Sequence, residues 1–372
     1  MTSIVVVGAG LAGAAAAWRL AQRGHEVTVL ERTTPANEHG SSHGSARIFR
    51  YAYPDPFYVD LVVDALRGWE ELAREHGSAL ITPTGAVDYG NARNPELLAE
   101  LLAEADVEHE LLTARAAHDR WDFAFDTNVL WQPGAGVIDA ERSVDAMLAQ
   151  GQRHGATLLC GQAVTRVRQT TTGYHVGTAN GETFEAEQVV IAAGGWLPDL
   201  LNELTLPSSF LEAFPTLEVR QEQAYHFPYE DEQQSWPTFI HKTDHIQIYG
   251  LPGGRDAEER GQKVAEYNGG KRLPSAARQD RIVDEANRRR VVDYVERCLP
   301  GLVPEPYAET TCLFTNTPNE DFVIDRADGI TVLSPCSGHG AKFAPLVGEL
   351  AAALVEGDDV PSRFRPGLRS AH

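Results

Sequence analysis

Apolar and polar positions along the chain fall into two regimes. In the first, short β-branched runs alternate with helical stretches. Ile4-Val5-Val6-Val7 is bounded by glycine and reads as a strand buried on both faces. Ala14 to Arg23 is strongly helix-forming and closes on Gly24, and Val27 to Leu30 is a second strand ending on Glu31. A polar loop, Thr33 to Ala46, leads to a helix from Tyr58 to His76 with Leu61, Val62, Ala65, Leu66, Trp69 and Leu72 on one face. Ala79 to Tyr89 predicts a strand–turn–strand; Pro95 to Ala105 and Thr113 to Trp121 predict helices. The regime resumes at Gly136, with a helix over Ala140 to His154 and strands around Ala156–Cys160 and Val164–Val167. A hairpin turns at Ala179-Asn180-Gly181, and Gln188 to Ala193 is a buried strand ending in Gly194-Gly195-Trp196.

The second regime spans Thr216 to Pro252, where short alternating pieces predict an antiparallel sheet with one solvated face. A charged loop (Gly253–Gly261), a short strand with Lys263, and a helix within Ser275–Leu299 follow. Strands at Ala308–Thr317, Asp321–Asp325 and Ile330–Ser334 and a final helix over Ala344–Glu356 complete the chain. The expected class is α/β with an α+β element: a nucleotide-binding half and a second half built on an antiparallel sheet.

Composition narrows the possibilities. The 372 residues suggest roughly two domains. A formal charge of −21 argues against nucleic acid and anionic membrane as partners. No apolar run approaches the roughly 18 residues of a membrane span, and the chain enters a strand at once, so neither a membrane segment nor a signal peptide is expected. Cys160, Cys298, Cys312 and Cys336 are widely spaced, predicting no disulfide framework, no metal site and a cytoplasmic setting.

Strand, Gly8-Ala9-Gly10-Leu11-Ala12-Gly13, helix, second strand and terminal acid are in register for dinucleotide binding. Gly8 allows the tight turn, Gly10 lets backbone approach a pyrophosphate, and Gly13 lets helix lie on strand. The helix N-terminus then holds the pyrophosphate, and Glu31 accepts from ribose hydroxyls. Ala193, Gly194 and Trp196 follow a buried strand, where backbone passes a second part of the same ligand. Other residues are ambiguous alone: Cys312 reads as a structural cysteine, Lys263 as a solvated strand lysine, Arg50 as a surface arginine and His339 as a packed loop histidine.

Four segments together change that: the glycine turn; Ser42-His43-Gly44-Ser45-Ala46-Arg47-Ile48-Phe49-Arg50; Thr311-Cys312-Leu313-Phe314-Thr315-Asn316-Thr317-Pro318; and Ser337-Gly338-His339-Gly340-Ala341-Lys342-Phe343. They resemble the monomeric sarcosine oxidase family of flavin amine oxidases, which includes N-methyltryptophan oxidase and pipecolate oxidase. The likeness runs nearly end to end and is loosest over 205–305. It implies a Rossmann-type, glutathione-reductase-like FAD domain (1–84, 136–212 and 306–372) and a substrate domain (85–135 and 213–305). It implies FAD joined by a thioether to Cys312, with nearby positive charge activating the thiol. Arg50 and Lys342 would bind a substrate carboxylate, and Lys263 would promote reaction with oxygen. Arg47, Tyr249 and Tyr267 join Lys263 as catalytic candidates. Leu11, Ala12, Arg32, Ser42, His43, Arg47, Val164, Gly338, His339, Gly340 and Lys342 complete the cofactor set, and Tyr249 is a substrate-binding candidate as well.

The sequence departs from sarcosine-oxidising members in three places: Tyr267 and Ser42 replace histidines, and Phe314 replaces a tyrosine. The implied reaction is oxidation of a secondary or cyclic amino acid to an imine, with oxygen reduced to hydrogen peroxide, by a monomer. A biosynthetic oxidase of a bulkier amino acid and a dehydrogenase passing electrons to a partner are the alternatives.

Overall fold

The structure is a computed structural model, and it describes residues 1–231 and 233–366. Positions 367–372, the end of the expected FAD domain, lie outside the described residues. One sheet has the strand order Val323–Ala327, Ile330–Ser334, Gln188–Ile191, Ser3–Val7, Glu26–Leu30, Thr157–Leu159. Its pairs are parallel except the first. Ser3–Val7 is central, which is why its apolar run does not alternate. Ile4 and Val6 pack among the helices Leu11–Gln22, Pro56–His76, Ala140–Arg153 and Ala344–Glu356. Val5 and Val7 pack against the small antiparallel sheet of Val164–Gln169, Tyr174–Thr178 and Thr183–Ala186.

Two glycines make the first turn possible. Gly8 has φ +100°, and a Cβ there would lie 2.5 Å from the Ala192 carbonyl oxygen. A Cβ on Gly13 would lie 1.9 Å from the Gly8 carbonyl oxygen, so helix and strand touch backbone to backbone.

The second sheet has nine strands, with Glu218–Phe227 pairing Gln262–Glu266, Lys271–Leu273 and Ala308–Asn316. The pieces expected at Leu217–Arg220 and Gln223–Phe227 are one continuous strand. The sheet is mixed rather than purely antiparallel, because Thr238–Lys242 runs parallel to Ala86–Tyr89. The expected strand–turn–strand also divides: Ile81–Thr82 pairs with Gly136–Ile138, a strand that Arg47–Phe49 also joins, whereas Ala86–Tyr89 enters the large sheet. Ala308–Asn316 lies in the large sheet, so the boundary expected at 306 separates strands that are hydrogen-bonded together.

The polar face of this sheet is not solvated, contrary to the alternation. One face packs Tyr225, Phe227, Phe239, Ile248 and Val264 on Val291, Tyr294 and Val295 of the helix Glu285–Cys298. The other faces an internal cavity. That helix begins ten residues later than Ser275. Asp284 caps it, accepting from Ala286 N–H at 2.8 Å, while Gln221 Oε1 holds the Asp280 and Arg281 amides at 3.1 Å outside it.

Candidate active site

A cavity of about 710 Å³ runs from the glycine turn to the large sheet. At its first end Gly8, Gly10, Leu11 and Ala12 line it. Gly10 caps the helix without a side-chain bond, and no acid occupies the first turn. The positive end of the helix dipole therefore carries no acid from its own first turn. Ser42 Oγ accepts from Leu11 N–H at 3.0 Å and lies 2.8 Å from where a Gly10 Cβ would sit. Glu31 is buried, with Oε2 accepting from Ala9 N–H at 2.8 Å and Oε1 from Thr33 N–H at 3.1 Å. It thus ties the second strand to the glycine turn while still lining the cavity. Arg32 sits 5.1 Å over the Trp196 ring, and Val164, Ala193 and Gly194 complete this end. A glycine-walled, N–H-rich cradle with an acid beside it fits a dinucleotide.

In the middle lies the loop 41–47. Arg47 donates to the carbonyls of Ala46 (2.8 Å), Ser41 (3.0 Å) and His43 (2.7 Å), so its charge also shapes the loop. His43 is buried, and desolvation with Arg47 and Lys263 nearby pulls it down to about 3, leaving a neutral ring at neutral pH.

Strand register explains the far wall. Directly opposed residues share a face, so Cys312 opposite Glu222, Lys263 opposite His226, and Ile240 between Tyr249 and Asp88 align along one face. Cys312, Lys263, Tyr249 and Ile240 all line the cavity. Burial pulls Lys263 down to about 8, with Arg47 adding to the effect and Asp256 opposing it. The expected activation of Cys312 by positive charge is corrected here. Burial pushes the thiol up to about 11 and outweighs Arg47 and Lys263.

Asp256, within the charged loop, bonds to the Ser45 hydroxyl and accepts from Ser45 N–H at 3.1 Å. Arg255 beside it pairs with Asp139 at 3.0 Å and Glu141 at 3.3 Å. The loop is thus fastened over the 41–47 loop. Tyr249 has no hydrogen-bond partner for its hydroxyl among the described residues. Tyr267 Oη lies 3.0 Å from Glu320 Oε1 and 3.0 Å from the Ser337 carbonyl, and its ring packs 5.7 Å from Phe314. Both rings press on Gly338, where a Cβ would meet each at 2.7 Å.

Arg50, Lys342, His339, Gly338 and Gly340 also line the cavity. Arg50 lies over the Tyr53 ring, its Cζ 4.9 Å from the centroid, and bonds to the Ala52 carbonyl. Lys342 Nζ donates to Tyr53 Oη at 3.0 Å and to the His339 carbonyl at 2.8 Å. Among the described residues neither cation is in an ion pair. Burial, then Arg50 and Arg93, draws Lys342 well below the ordinary lysine range. His339 lies 3.0 Å from Tyr53 Oη through Nδ1 and 3.0 Å from the Glu320 carbonyl through Nε2. Burial and Lys342 take it down to about 3.

Every sequence-predicted site residue except Gly13 reaches this cavity, and Gly13 lies under the turn. Tyr53 and Asp256 were missed. Tyr53 stands three residues after Arg50, but nothing local marks its hydroxyl as a bridge, and Asp256 is one acid among several in its loop.

The profile of the family described as FAD dependent oxidoreductase matches residues 3–354. The chain is 33% identical over 370 residues to a monomeric sarcosine oxidase of Streptomyces avermitilis, covering 95% of this chain and 93% of that protein. It is 29% identical to an N-methyl-L-tryptophan oxidase of Yersinia pestis, covering 96% and 95%. Among solved structures, NikD, titled an unusual amino acid oxidase essential for nikkomycin biosynthesis, has a TM-score of 0.86 at 26% identity, covering 98% and 97%.

Proposed function

This chain belongs to the FAD-dependent oxidoreductase family, and from that premise we propose that it oxidises the C–N bond of a secondary or cyclic amino acid, with dioxygen reduced to hydrogen peroxide. One observation carries the reading: two cations with no ion-pair partner among the described residues, Arg50 and Lys342, share a cavity with the glycine cradle, Cys312 and Lys263. Bound FAD supplies the two-electron acceptor.

The chain's own residues do the rest. Gly8, Gly10, Leu11, Ala12, Glu31, Arg32, Ser42, His43, Val164, Ala193, Gly194, Trp196, Gly338, His339 and Gly340 hold the cofactor, and Cys312 carries it covalently. A cation withdrawn from water is costly without counter-charge, so the buried Lys342 and the half-buried Arg50 suit a substrate carboxylate, one offering a point charge and the other a planar fork. Lys263 keeps most of its charge at neutral pH and stabilises negative charge developing on reduced oxygen. Arg47 holds the 41–47 loop in shape, and Tyr249 offers a hydroxyl that no described residue bonds. Tyr267, whose phenol is pushed up by burial and Glu320, stays protonated and shapes the wall. We place the FAD-binding portion at 1–84, 136–212 and 306–372 and the substrate portion at 85–135 and 213–305, with the strand Ala308–Asn316 of the former completing the sheet of the latter, in a cytoplasmic monomer.

The aromatic wall of Tyr267 and Phe314 favours a second reading within the class, a bulkier amino acid, in line with the likeness to NikD. A panel of N-methyl, cyclic and aromatic amino acids, followed by oxygen consumption and peroxide release, tests the proposal. Peroxide formed in step with oxygen supports it. Cofactor reduction by amine without oxygen uptake would instead identify a dehydrogenase.

A further inference from the structure

Arg50 and Lys342 both take their position from Tyr51-Ala52-Tyr53, a stretch beyond the strand Arg47–Phe49 and outside any sheet ladder. Its buried backbone groups need partners. They find them in side chains of the large sheet and of the turn that follows its strand Ala86–Tyr89. Gln132 Oε1 accepts from both Tyr51 N–H and Ala52 N–H at 2.9 Å. Arg93 Nη2 donates to the Ala52 carbonyl at 2.9 Å. Behind them, Asp88 accepts from Gln132 Nε2 at 2.7 Å through one oxygen and from Arg93 Nε at 2.5 Å through the other. Asp88 and Gln132 are 0% exposed and Arg93 is 8%.

Resting on the proposed function, we infer that Asp88, Arg93 and Gln132 are positioning residues that set the carboxylate site by gripping the backbone between Arg50 and Tyr53. The polarity of the network is fixed. The Gln132 oxygen must face two N–H groups, so its NH2 must face an acceptor, and Asp88 is that acceptor. Asparagine at 88 would turn an NH2 toward either Gln132 or Arg93, leaving donor against donor. A buried ion pair is costly to assemble, and here its geometry holds a loop with no backbone partners of its own among the described residues. From that loop the effect reaches both cations. Arg50 shares the Ala52 carbonyl with Arg93, and the Tyr53 hydroxyl receives Lys342. Asp88 also supplies the negative charge in a cluster of three cations, Arg50, Arg93 and Lys342.

The test uses holoenzyme carrying Gln132→Met, which removes the grip on Tyr51 and Ala52, and Arg93→Lys, which keeps the buried charge but loses the fork. Benzoate and benzamide are titrated against the visible cofactor spectrum, alongside KM and kcat for the best amino acid. Expected for Gln132→Met is a rise of about tenfold in benzoate Kd and in KM, the size of a lost buried hydrogen-bond partner. Benzamide binding and kcat should stay within about threefold, and Arg93→Lys should show a smaller rise. Unchanged benzoate affinity in a folded variant, or equal losses for benzoate and benzamide, overturns the inference. Should wild type bind no carboxylate, the functional reading fails on its own. The positioning claim is then read from amide exchange: Gln132→Met must lose protection at Tyr51 and Ala52, and retained protection overturns it.

Discussion

The Tyr53 hydroxyl lies 3.0 Å from Lys342 Nζ, joining residues 289 apart in the chain. An ammonium can only donate, so the hydroxyl must give its own proton to His339 Nδ1, and His339 is a neutral ring bearing its proton on Nε2. Among the described residues Lys342 ends up hydrogen-bonded only to neutral groups, with burial, Arg50 and Arg93 opposing its charge and Asp88 favouring it less strongly. A bound carboxylate favours the charged form of Lys342, so binding takes up protons. Affinity for simple carboxylates is therefore expected to fall as pH rises through the range where Lys342 loses its proton. Benzoate titrations across pH check this, and a pH-independent Kd would remove Lys342 from the site.

Arg50→Ala is expected to weaken carboxylate binding by one to two powers of ten, since losing a charged hydrogen-bond partner costs about 1.5–3 kcal/mol. Amino-acid amides and esters should be poor substrates of the wild type. Equal turnover of neutral and carboxylated amines would refute the role.

Lys263→Met is expected to slow reoxidation of the reduced enzyme by orders of magnitude and to affect its reduction by amine far less. Because burial and Arg47 draw Lys263 down to about 8, its positive charge is present below that pH and lost above it. The wild-type oxygen reaction should accordingly slow as pH rises through 8. Stopped-flow reoxidation at several pH values measures both effects.

Cys312→Ser is expected to release FAD into the supernatant on acid precipitation. Wild type should precipitate yellow with intact mass raised by one FAD. The thiol stands near 11, so attachment should be slow at neutral pH and faster as pH rises. A colourless wild-type precipitate would exclude the covalent bond while leaving FAD binding possible.

Gly13→Ala is expected to abolish cofactor retention and lower Tm sharply, because its Cβ would lie 1.9 Å from the Gly8 carbonyl oxygen and force helix from strand. Gly24→Ala, where a Cβ meets no atom of the described residues within 4 Å, is the contrast. Its cost is confined to the positive φ of +84°. Absorbance ratios and thermal melts compare them.

The amino-acid sequence determined those parts of the molecule whose causes are local. The first strand, glycine turn and helix were legible because β-branched residues, glycines and alanines act over a few positions; the last helix spans Ala344–Glu356 as its apolar pattern indicated. Cys312 and Lys263 were legible as candidates through their flanking residues. Tertiary structure alone decided the rest. Alternation in the large sheet marks two different faces, but only packing shows that the polar one meets a cavity rather than water. A cysteine near cations suggests a lowered pKa, yet Cys312 is governed by desolvation, which depends on the whole fold. Asp88, Arg93 and Gln132 carry no local signal: a mixed sheet and the turn after its strand Ala86–Tyr89 bring them under a loop some forty to eighty residues away, where backbone groups outside any ladder needed partners.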